Sequence, residues 1–203
     1  MKVIGICGGS GSGKGTLAAM LVEAGFLHID ADSVYHDLTS ADGPCLREMA
    51  DAFGNEIISA DGALDRGVLS SIVFSYEGKE KLPLLNSITH RYVLEEIRRR
   101  IALAEGEYIA AIVDAPLLFE SGFNKECDLI VSVVAPKDVR ASRICERDEI
   151  TEDVAQRRID AQLDDEFLRL HSDIIITNDK DIASLRGEAD KLINILKEND
   201  NGR

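Results

Sequence analysis

A glycine-rich segment early in the chain has the residue types and the spacing of a phosphate-binding loop. Residues 8–14 read Gly-Gly-Ser-Gly-Ser-Gly-Lys and fit the pattern GxxxxGK, with Gly8 and Gly13 as its fixed glycines. Glycines let successive backbone N–H groups turn inward to form a concave nest, and the following helix points the positive end of its dipole at the same place. Lys14 adds a full positive charge. The segment therefore predicts an ATP site formed by Gly9, Ser10, Gly11, Ser12, Gly13, Lys14, Gly15 and Thr16.

One position of this segment departs from the usual pattern. Gly15 stands where a Ser or Thr would place a hydroxyl on Mg²⁺. In this respect the segment resembles the GKGT of adenylate kinases, in which the metal is held largely by water and other groups. ATP binding with Mg²⁺ is therefore still expected, and Thr16 is expected to reach a phosphate oxygen.

Three aspartates follow apolar runs that read as strands. Asp30 and Asp32 close the second run, and Asp114 ends the third. Because the carboxyl ends of parallel strands share one edge of a sheet, these carboxylates are expected beside the phosphate loop. A kinase needs a carboxylate to accept or orient the acceptor hydroxyl, and others to hold hydrated magnesium. The alternatives are helix capping by Asp30 or Asp32, for a helix beginning near Ser33, and a strand-end turn at Asp114.

Residues 137–170 form a polar stretch with a helical pattern and read as a lid. Its arginines are Arg140, Arg143, Arg147, Arg157 and Arg158. The alternative is a solvated helix pair whose charges satisfy one another, since acids such as Asp148 and Asp160 are interleaved. That alternative is favoured for most of these arginines, Arg143 and Arg147 excepted.

The elements that must position these residues form a doubly wound parallel α/β sheet. Five apolar runs read as buried strands and alternate with helical or loop-rich sequence. They cover residues 2–7, 26–30, 108–114, 129–134 and 174–177, and the first helix is expected at about 14–24. Between the second and third strands, helical patterns at 46–53, 64–74 and 88–104 predict a helical insertion over the ligand-binding edge of the sheet.

The bulk properties exclude several function classes. The 203 residues carry a formal charge of −14, which argues against a broad nucleic-acid surface. No apolar run approaches the roughly 20 residues of a membrane span, and the first residues lack a signal-peptide cleavage site, so a cytoplasmic protein without membrane contact is expected. The four cysteines are scattered without a CxxC pair, so neither zinc nor disulfides are indicated.

Several segments besides the glycine-rich loop carry a resemblance to a known family. They are Ile29-Asp30-Ala31-Asp32; Gly43-Pro44 and Phe53-Gly54; Asp61-Gly62 with Leu64-Asp65-Arg66; residues 114–120 around Pro116-Leu117-Leu118; Arg143 with Arg147-Asp148; Arg158-Ile159 with Gln162; and Ser172-Asp173 leading to Asn178. On these residues nearly the whole chain resembles the dephospho-CoA kinase family. The loop is shared by very many enzymes. The specific combination is Ile29-Asp30-Ala31-Asp32, Asp61-Gly62 with Leu64-Asp65-Arg66, and Pro116-Leu117-Leu118-Phe119-Glu120.

The resemblance implies a three-layer P-loop kinase fold with a helical acceptor-binding insertion and a helical lid. The core would be residues 1–32, 105–136 and 171–203, the insertion 33–104 and the lid 137–170. The implied reaction is ATP-dependent phosphorylation of the ribose 3′-hydroxyl of dephospho-CoA by a monomeric enzyme. The implied roles are general base for Asp32, phosphate binding for Lys14 and Arg147, stabilisation of the phosphoryl group for Arg143, and water-mediated magnesium binding for Asp30 and Asp114.

The sequence alone leaves alternatives open for the role of Arg91 and for the function of the protein. The family usually has His-Pro where this chain has His90-Arg91, and Arg91 is either a surface helix residue or an acceptor-site cation. The glycine-rich loop alone suits a uridine kinase or a nucleoside monophosphate kinase equally well. A nucleotide-dependent switch is a rival from a different class, but it would not need the paired aspartates and the lid arginines. A degenerate P-loop domain that serves as a scaffold is disfavoured by the intact Lys14.

Overall fold

A five-stranded sheet organises the computed structural model, which describes residues 1–75, 80–115 and 117–198. Its strands are β1 Lys2–Cys7, β2 Leu27–Asp30, β3 Ala110–Asp114, β4 Leu129–Val134 and β5 Ile174–Thr177. Their order in the sheet is β2-β3-β1-β4-β5, and β1 pairs in parallel with both β3 and β4. The described residues also form helices α1 Lys14–Glu23, α2 Ala31–Thr39, α3 Pro44–Phe53, α4 Arg66–Val73, α5 Lys81–Leu103, α6 Lys137–Asp148, α7 Glu152–Asp160, α8 Asp165–His171 and α9 Ile182–Glu198.

The chain divides into two compact units. One comprises Met1–Ile29 with the chain from Ala104 onward, and the other is Asp30–Leu103. In the first unit, β1 lies at the centre of the sheet and its Ile4 and Ile6 are almost fully buried. Helices α1 and α9 cover this core with Leu17, Leu21 and the apolar face of α9. The hydrophobic effect of this burial fixes the edge of the sheet where the glycine-rich loop begins.

The predicted strands are confirmed, with two shifted boundaries. β2 begins one residue later than expected, and β3 begins at Ala110 rather than at Tyr108. Tyr108 and Ile109 are partly exposed, since the chain makes a turn between Glu105 and Tyr108 before it enters the sheet. The predicted strand was too long because Tyr108 and Ile109 are apolar and directly precede β3 in the sequence.

The second unit, Asp30–Leu103, is helical and has its own core. Buried side chains of α3, α4 and α5 meet in one cluster that includes Met49, Phe53, Leu69 and Ile88. Helix α5 begins seven positions earlier than the predicted start at residue 88. Its Pro83 lies in the first turn, where a missing N–H breaks no intrahelical bond, so the proline does not end the helix.

The stretch 137–170 is helical, as its pattern predicts, and consists of α6, α7 and α8. Helices α6 and α7 pack through Ala141, Ile144, Ala155 and Ile159. Across the part of the chain that the structure describes, every helix is too short or too polar to cross a bilayer. The four cysteines are free thiols, and Cys7 and Cys45 are buried.

Candidate nucleotide-binding site

The glycine-rich loop connects β1 to α1, as the GxxxxGK pattern predicts. Gly13 precedes the helix with a φ of 97°, a left-handed conformation that favours glycine. A Cβ at this position would lie 2.1 Å from Nδ2 of Asn178, so the loop has no space for a side chain there. The sequence pattern thus reflects both backbone conformation and close packing.

Three successive carbonyl groups of the loop accept hydrogen bonds from side chains of distant elements. The bonds are Arg140 Nε to Ser10 O at 2.9 Å, Arg143 Nη1 to Gly11 O at 3.2 Å, and Asn178 Nδ2 to Ser12 O at 2.8 Å. In a trans peptide the C=O of one residue and the N–H of the next point in opposite directions. The N–H groups of Gly11 and Gly13 therefore point away from these donors, to the side where the pattern predicts the phosphates.

Lys14, the first residue of α1, forms an ion pair with Asp114 at the carboxyl end of β3. Lys14 Nζ donates to Asp114 Oδ1, and Asp114, the last residue of β3, lies in register with Ile6 of β1. The side chains are 18% and 7% exposed, so each charge depends on the other for compensation. The prediction that Asp114 ends a strand beside the loop is confirmed. Its role toward magnesium stays a prediction.

Asp30 and Asp32 belong to the helical unit and have different local roles. Asp30 is the N-cap of α2, because its carboxylate accepts from Asp32 N at 3.0 Å and from Ser33 Oγ at 2.8 Å. This is the capping role that the sequence left as an alternative. Placing Asp32 at a strand end was wrong, since it is an exposed residue in the first turn of α2. The catalytic and magnesium roles of the two residues stay predictions.

The arginines of residues 137–170 separate into buried and exposed groups. Arg140 is only 3% exposed, so its interpretation as a solvated residue was wrong. Arg140, Ala141 and Ile144 share one buried face of α6, and this helical spacing is the signal that could have found it. Arg157 and Arg158 are exposed, in agreement with the solvated alternative.

Arg143 and Arg147 both contact the loop. Arg143 is half-buried and donates to Asn178 O at 3.2 Å as well as to Gly11 O. Arg147 is exposed, and its Nη2 lies 3.4 Å from Ser10 Oγ. Arg147 also pairs with Asp148, and together with Arg158 it holds the pKa of that carboxyl well below its usual range.

The donor atoms near the loop fit a magnesium ion that is shared with phosphates better than an all-protein metal site. Gly15 offers no hydroxyl, although a Cβ there would meet nothing within 4 Å. Over the described residues, 1–75, 80–115 and 117–198, no three His, Cys, Asp or Glu side chains are grouped as metal ligands. Mg²⁺ commonly keeps several waters and binds through one or two carboxylates plus substrate phosphates. Asp114 could supply one such carboxylate.

Arg91, the departure from the family pattern, lies on the surface of α5. It forms an ion pair with Glu48, which also accepts a bond of 2.9 Å from Tyr92 Oη. Its side chain is 51% exposed, which agrees with the surface-helix interpretation. Pro116, which contributed to the resemblance, lies outside the described residues.

Comparisons with known proteins agree on one family. The family model for dephospho-CoA kinase matches residues 2–184. The chain is 41% identical to the dephospho-CoA kinase of Corynebacterium efficiens, over 95% of this chain and 96% of that protein. It is 38% identical to the one of Carboxydothermus hydrogenoformans, over 97% and 94% of the two chains.

Solved structures extend the agreement to the fold. The dephospho-CoA kinase of Campylobacter jejuni superposes with a TM-score of 0.73 at 28% identity, covering 98% of this chain and all of that one. The protein TT1252 of Thermus thermophilus gives a TM-score of 0.81 at 27% identity, covering 96% of each chain. A shikimate kinase of Acinetobacter baumannii, at 17% identity and a TM-score of 0.55, shares the fold alone. The chain belongs to the dephospho-CoA kinase family.

Proposed function

We propose that this protein transfers the γ-phosphoryl group of ATP to the ribose 3′-hydroxyl of dephospho-CoA, giving coenzyme A and ADP. The observation that carries the proposal is the glycine-rich loop with Lys14 at its end, in a chain of this family. The donors behind the loop hold its carbonyl groups, so its amides are preorganised for anionic oxygens. This reaction is the last step of coenzyme A synthesis.

The residues of the loop and of the lid bind and orient the donor in this proposal. The loop amides and Lys14 surround the phosphates, while Asp114 limits the positions open to the Lys14 ammonium. Arg147 adds charge beside Ser10. Arg143 leaves Gly11 O and Asn178 O as the lid closes and then faces the transferred group. In-line phosphoryl transfer depends on positioning and charge neutralisation, so no covalent intermediate on the protein is needed.

The acceptor side of the reaction is assigned to the helical insertion. Asp32 is exposed in the first turn of α2, and it accepts the proton of the 3′-hydroxyl as that oxygen attacks. When bound, Mg²⁺ neutralises charge on the phosphates, with Asp30 and Asp114 as its carboxylates through water. The protein is proposed to work as a cytoplasmic monomer, and sedimentation of the purified chain tests the monomeric state.

An acceptor panel tests the proposed reaction directly. ADP formation is measured with dephospho-CoA, uridine, AMP, CMP and shikimate at equal concentrations, and the product is identified by mass. Dephospho-CoA should exceed each other acceptor in kcat/KM by at least about 100-fold, because a site that pairs the groups of one acceptor rejects those that leave its polar groups unpaired. Preference for uridine or a nucleoside monophosphate would replace the proposal with those activities.

A further inference from the structure

Two lid residues hold both backbone groups of a single residue in the glycine-rich loop. Arg140 of α6 donates from Nε to Ser10 O at 2.9 Å and from Nη2 to Gln162 Oε1 at 2.8 Å. The same Oε1 atom of Gln162 accepts from the Ser10 N–H at 2.9 Å. Ser10 is therefore held at its carbonyl by Arg140 and at its amide by Gln162, and the two side chains also bind each other. We call this pair the Ser10 clamp.

Each hydrogen bond of the Ser10 clamp joins an N–H donor to an oxygen acceptor. Both partners of the Gln162 side chain are N–H donors, so only its carbonyl oxygen fits that position, and the orientation of the amide is determined. Burial lowers the pKa of the Arg140 guanidinium, while Asp165, 3.6 Å away, opposes that shift. Arginine keeps its charge even so, and its bond to Gln162 is charge-assisted.

Packing shows how closely the clamp approaches the loop. A Cβ at Gly9 would lie 2.0 Å from Arg140 Nη2 and 2.9 Å from Gln162 Oε1. Glycine at this position is therefore explained by the clamp, since the fixed glycines of the pattern are Gly8 and Gly13. The guanidinium is almost fully buried, and burying a charge is unfavourable unless bonds such as these compensate it.

We propose that Arg140 and Gln162 are positioning residues for ATP binding, without contacting ATP themselves. With its C=O held by Arg140, the peptide that follows Ser10 directs the Gly11 N–H to the opposite side of the loop. The clamp thereby fixes the nest before the nucleotide arrives, which lowers the ordering cost of binding. The inference rests on the proposed function only in that the loop binds ATP.

Gln162→Leu is the main test, because Gln162 is exposed and its substitution leaves the core intact. The Kd for ATP is measured by titration calorimetry, and kcat, both KM values and Tm are measured in parallel. We expect the Kd and the KM for ATP to rise about tenfold, as two hydrogen bonds are lost, one of them to a charged group. The KM for dephospho-CoA should stay within about twofold of wild type, because it does not depend on the Ser10 peptide groups. Tm should fall by no more than about 4 °C, because Arg140 loses one bond but keeps those to Ser10 O and Asp165.

Matched variants separate positioning from a general effect on the lid. Gln156→Leu makes the same change on α7, where the amide donates to Asp160 rather than to the loop, and should leave the Kd for ATP unchanged. Gln162→Glu keeps an acceptor oxygen for both donors and should bind ATP more tightly than Gln162→Leu. If folded, Arg140→Met should raise the Kd, and the double variant Arg140→Met/Gln162→Leu should add little to it, because the two side chains act as one unit.

The proposal is overturned if Gln162→Leu binds ATP like wild type, or if Gln156→Leu loses as much affinity. It is also overturned if Tm and both KM values of Gln162→Leu deteriorate together, since that pattern indicates general destabilisation. Calorimetry needs no acceptor. A protein that binds ATP but does not phosphorylate dephospho-CoA would therefore refute the proposed reaction while leaving this test in place.

Discussion

At the scale of single residues, the charge of Lys14 is tied to that of Asp114. The pair lies largely buried where α1 begins and β3 ends, so removal of either charge affects the other. Removal of one partner of a buried pair destabilises a protein by about 3 kcal/mol, because an uncompensated charge stays behind. A loss of activity on mutation of Lys14 therefore needs to be separated from a loss of fold.

We expect Lys14→Ala to lower kcat/KM by at least about 100-fold, because the charge that faces the phosphates is lost. Its Tm should also fall, because Asp114 is then left unpaired. The double variant Lys14→Ala/Asp114→Asn should recover most of the Tm but none of the activity. Recovery of activity in the double variant would show that Lys14 acts only by neutralising Asp114.

Asp32 is exposed and lies in the first turn of α2. Asp32→Asn should lower kcat by about 100-fold or more, the usual contribution of a general base, with the Kd for ATP unchanged. Asp190→Asn on the exposed side of α9 is the matched control and should behave as wild type. Near-normal turnover of Asp32→Asn would remove it as the base.

At the scale of elements, helix α5 carries a carboxylate with a strongly shifted pKa. Bonds from Arg99 at 2.6 Å and from Arg100 at 2.9 Å lower the pKa of Glu96 from 4.5 to about 2. A carboxyl group whose pKa is lower in the folded state stabilises that state above its unfolded pKa. This contribution is therefore complete above about pH 5 and is lost as the pH falls toward 2.

Glu96→Gln should consequently lower Tm at pH 7 and have a much smaller effect at pH 2.5. Thermal unfolding followed by circular dichroism at both pH values measures the difference. Asp51→Asn, an exposed carboxylate on α3 of the same unit, is the control and should show little effect at either pH. An effect of Glu96→Gln that is equal at the two pH values would contradict the assigned bonds.

The five strands and the helical character of residues 137–170 could be predicted because their signals are local. Strands such as Leu129–Val134 are apolar runs that are buried on both faces of the sheet. The pattern of the glycine-rich loop occupies seven consecutive residues, 8–14. Helix α9 was missed although Leu185, Leu192 and Leu196 mark its buried face. Asp32 was misplaced because a helix begins directly after β2, and a strand run does not reveal where the next element starts.

The supports of the loop could not be predicted in the same way. Arg140, Gln162 and Asn178 bind backbone groups more than 100 positions away in the chain, and such bonds leave no local pattern. Every residue type carries the same backbone groups, so the identity of the contacted residue does not reveal which side chain binds its main chain. The tertiary fold determines that pairing. Sequence reasoning found the nest itself and missed what holds it.

At the scale of the whole molecule, an acidic protein binds acidic substrates. The formal charge is −14, so the electrostatic potential of the whole protein repels ATP. Attraction for ATP therefore has to come from the loop and its neighbouring residues. Because the chain has two compact units, each ligand should stabilise the unit that binds it.

Hydrogen exchange should report this division. A non-hydrolysable ATP analogue should slow exchange in residues 8–16 and in α6–α8, whereas dephospho-CoA alone should slow exchange within Asp30–Leu103. Exchange followed by mass spectrometry on peptides measures both, with α9 as an internal reference. Protection of Asp30–Leu103 by the ATP analogue alone would contradict the assignment of the acceptor to that unit.

The position of β1 in the sheet has a consequence for biosynthesis. More than 100 residues of the chain separate β1 from each of its two neighbours in the sheet, which begin at Ala110 and Leu129. The apolar side chains of β1 have no sheet partners while that stretch is synthesised, which takes several seconds at roughly 5–20 residues per second. Chaperones that bind short apolar segments should therefore engage β1 of the nascent chain until synthesis of β4 completes the three central strands.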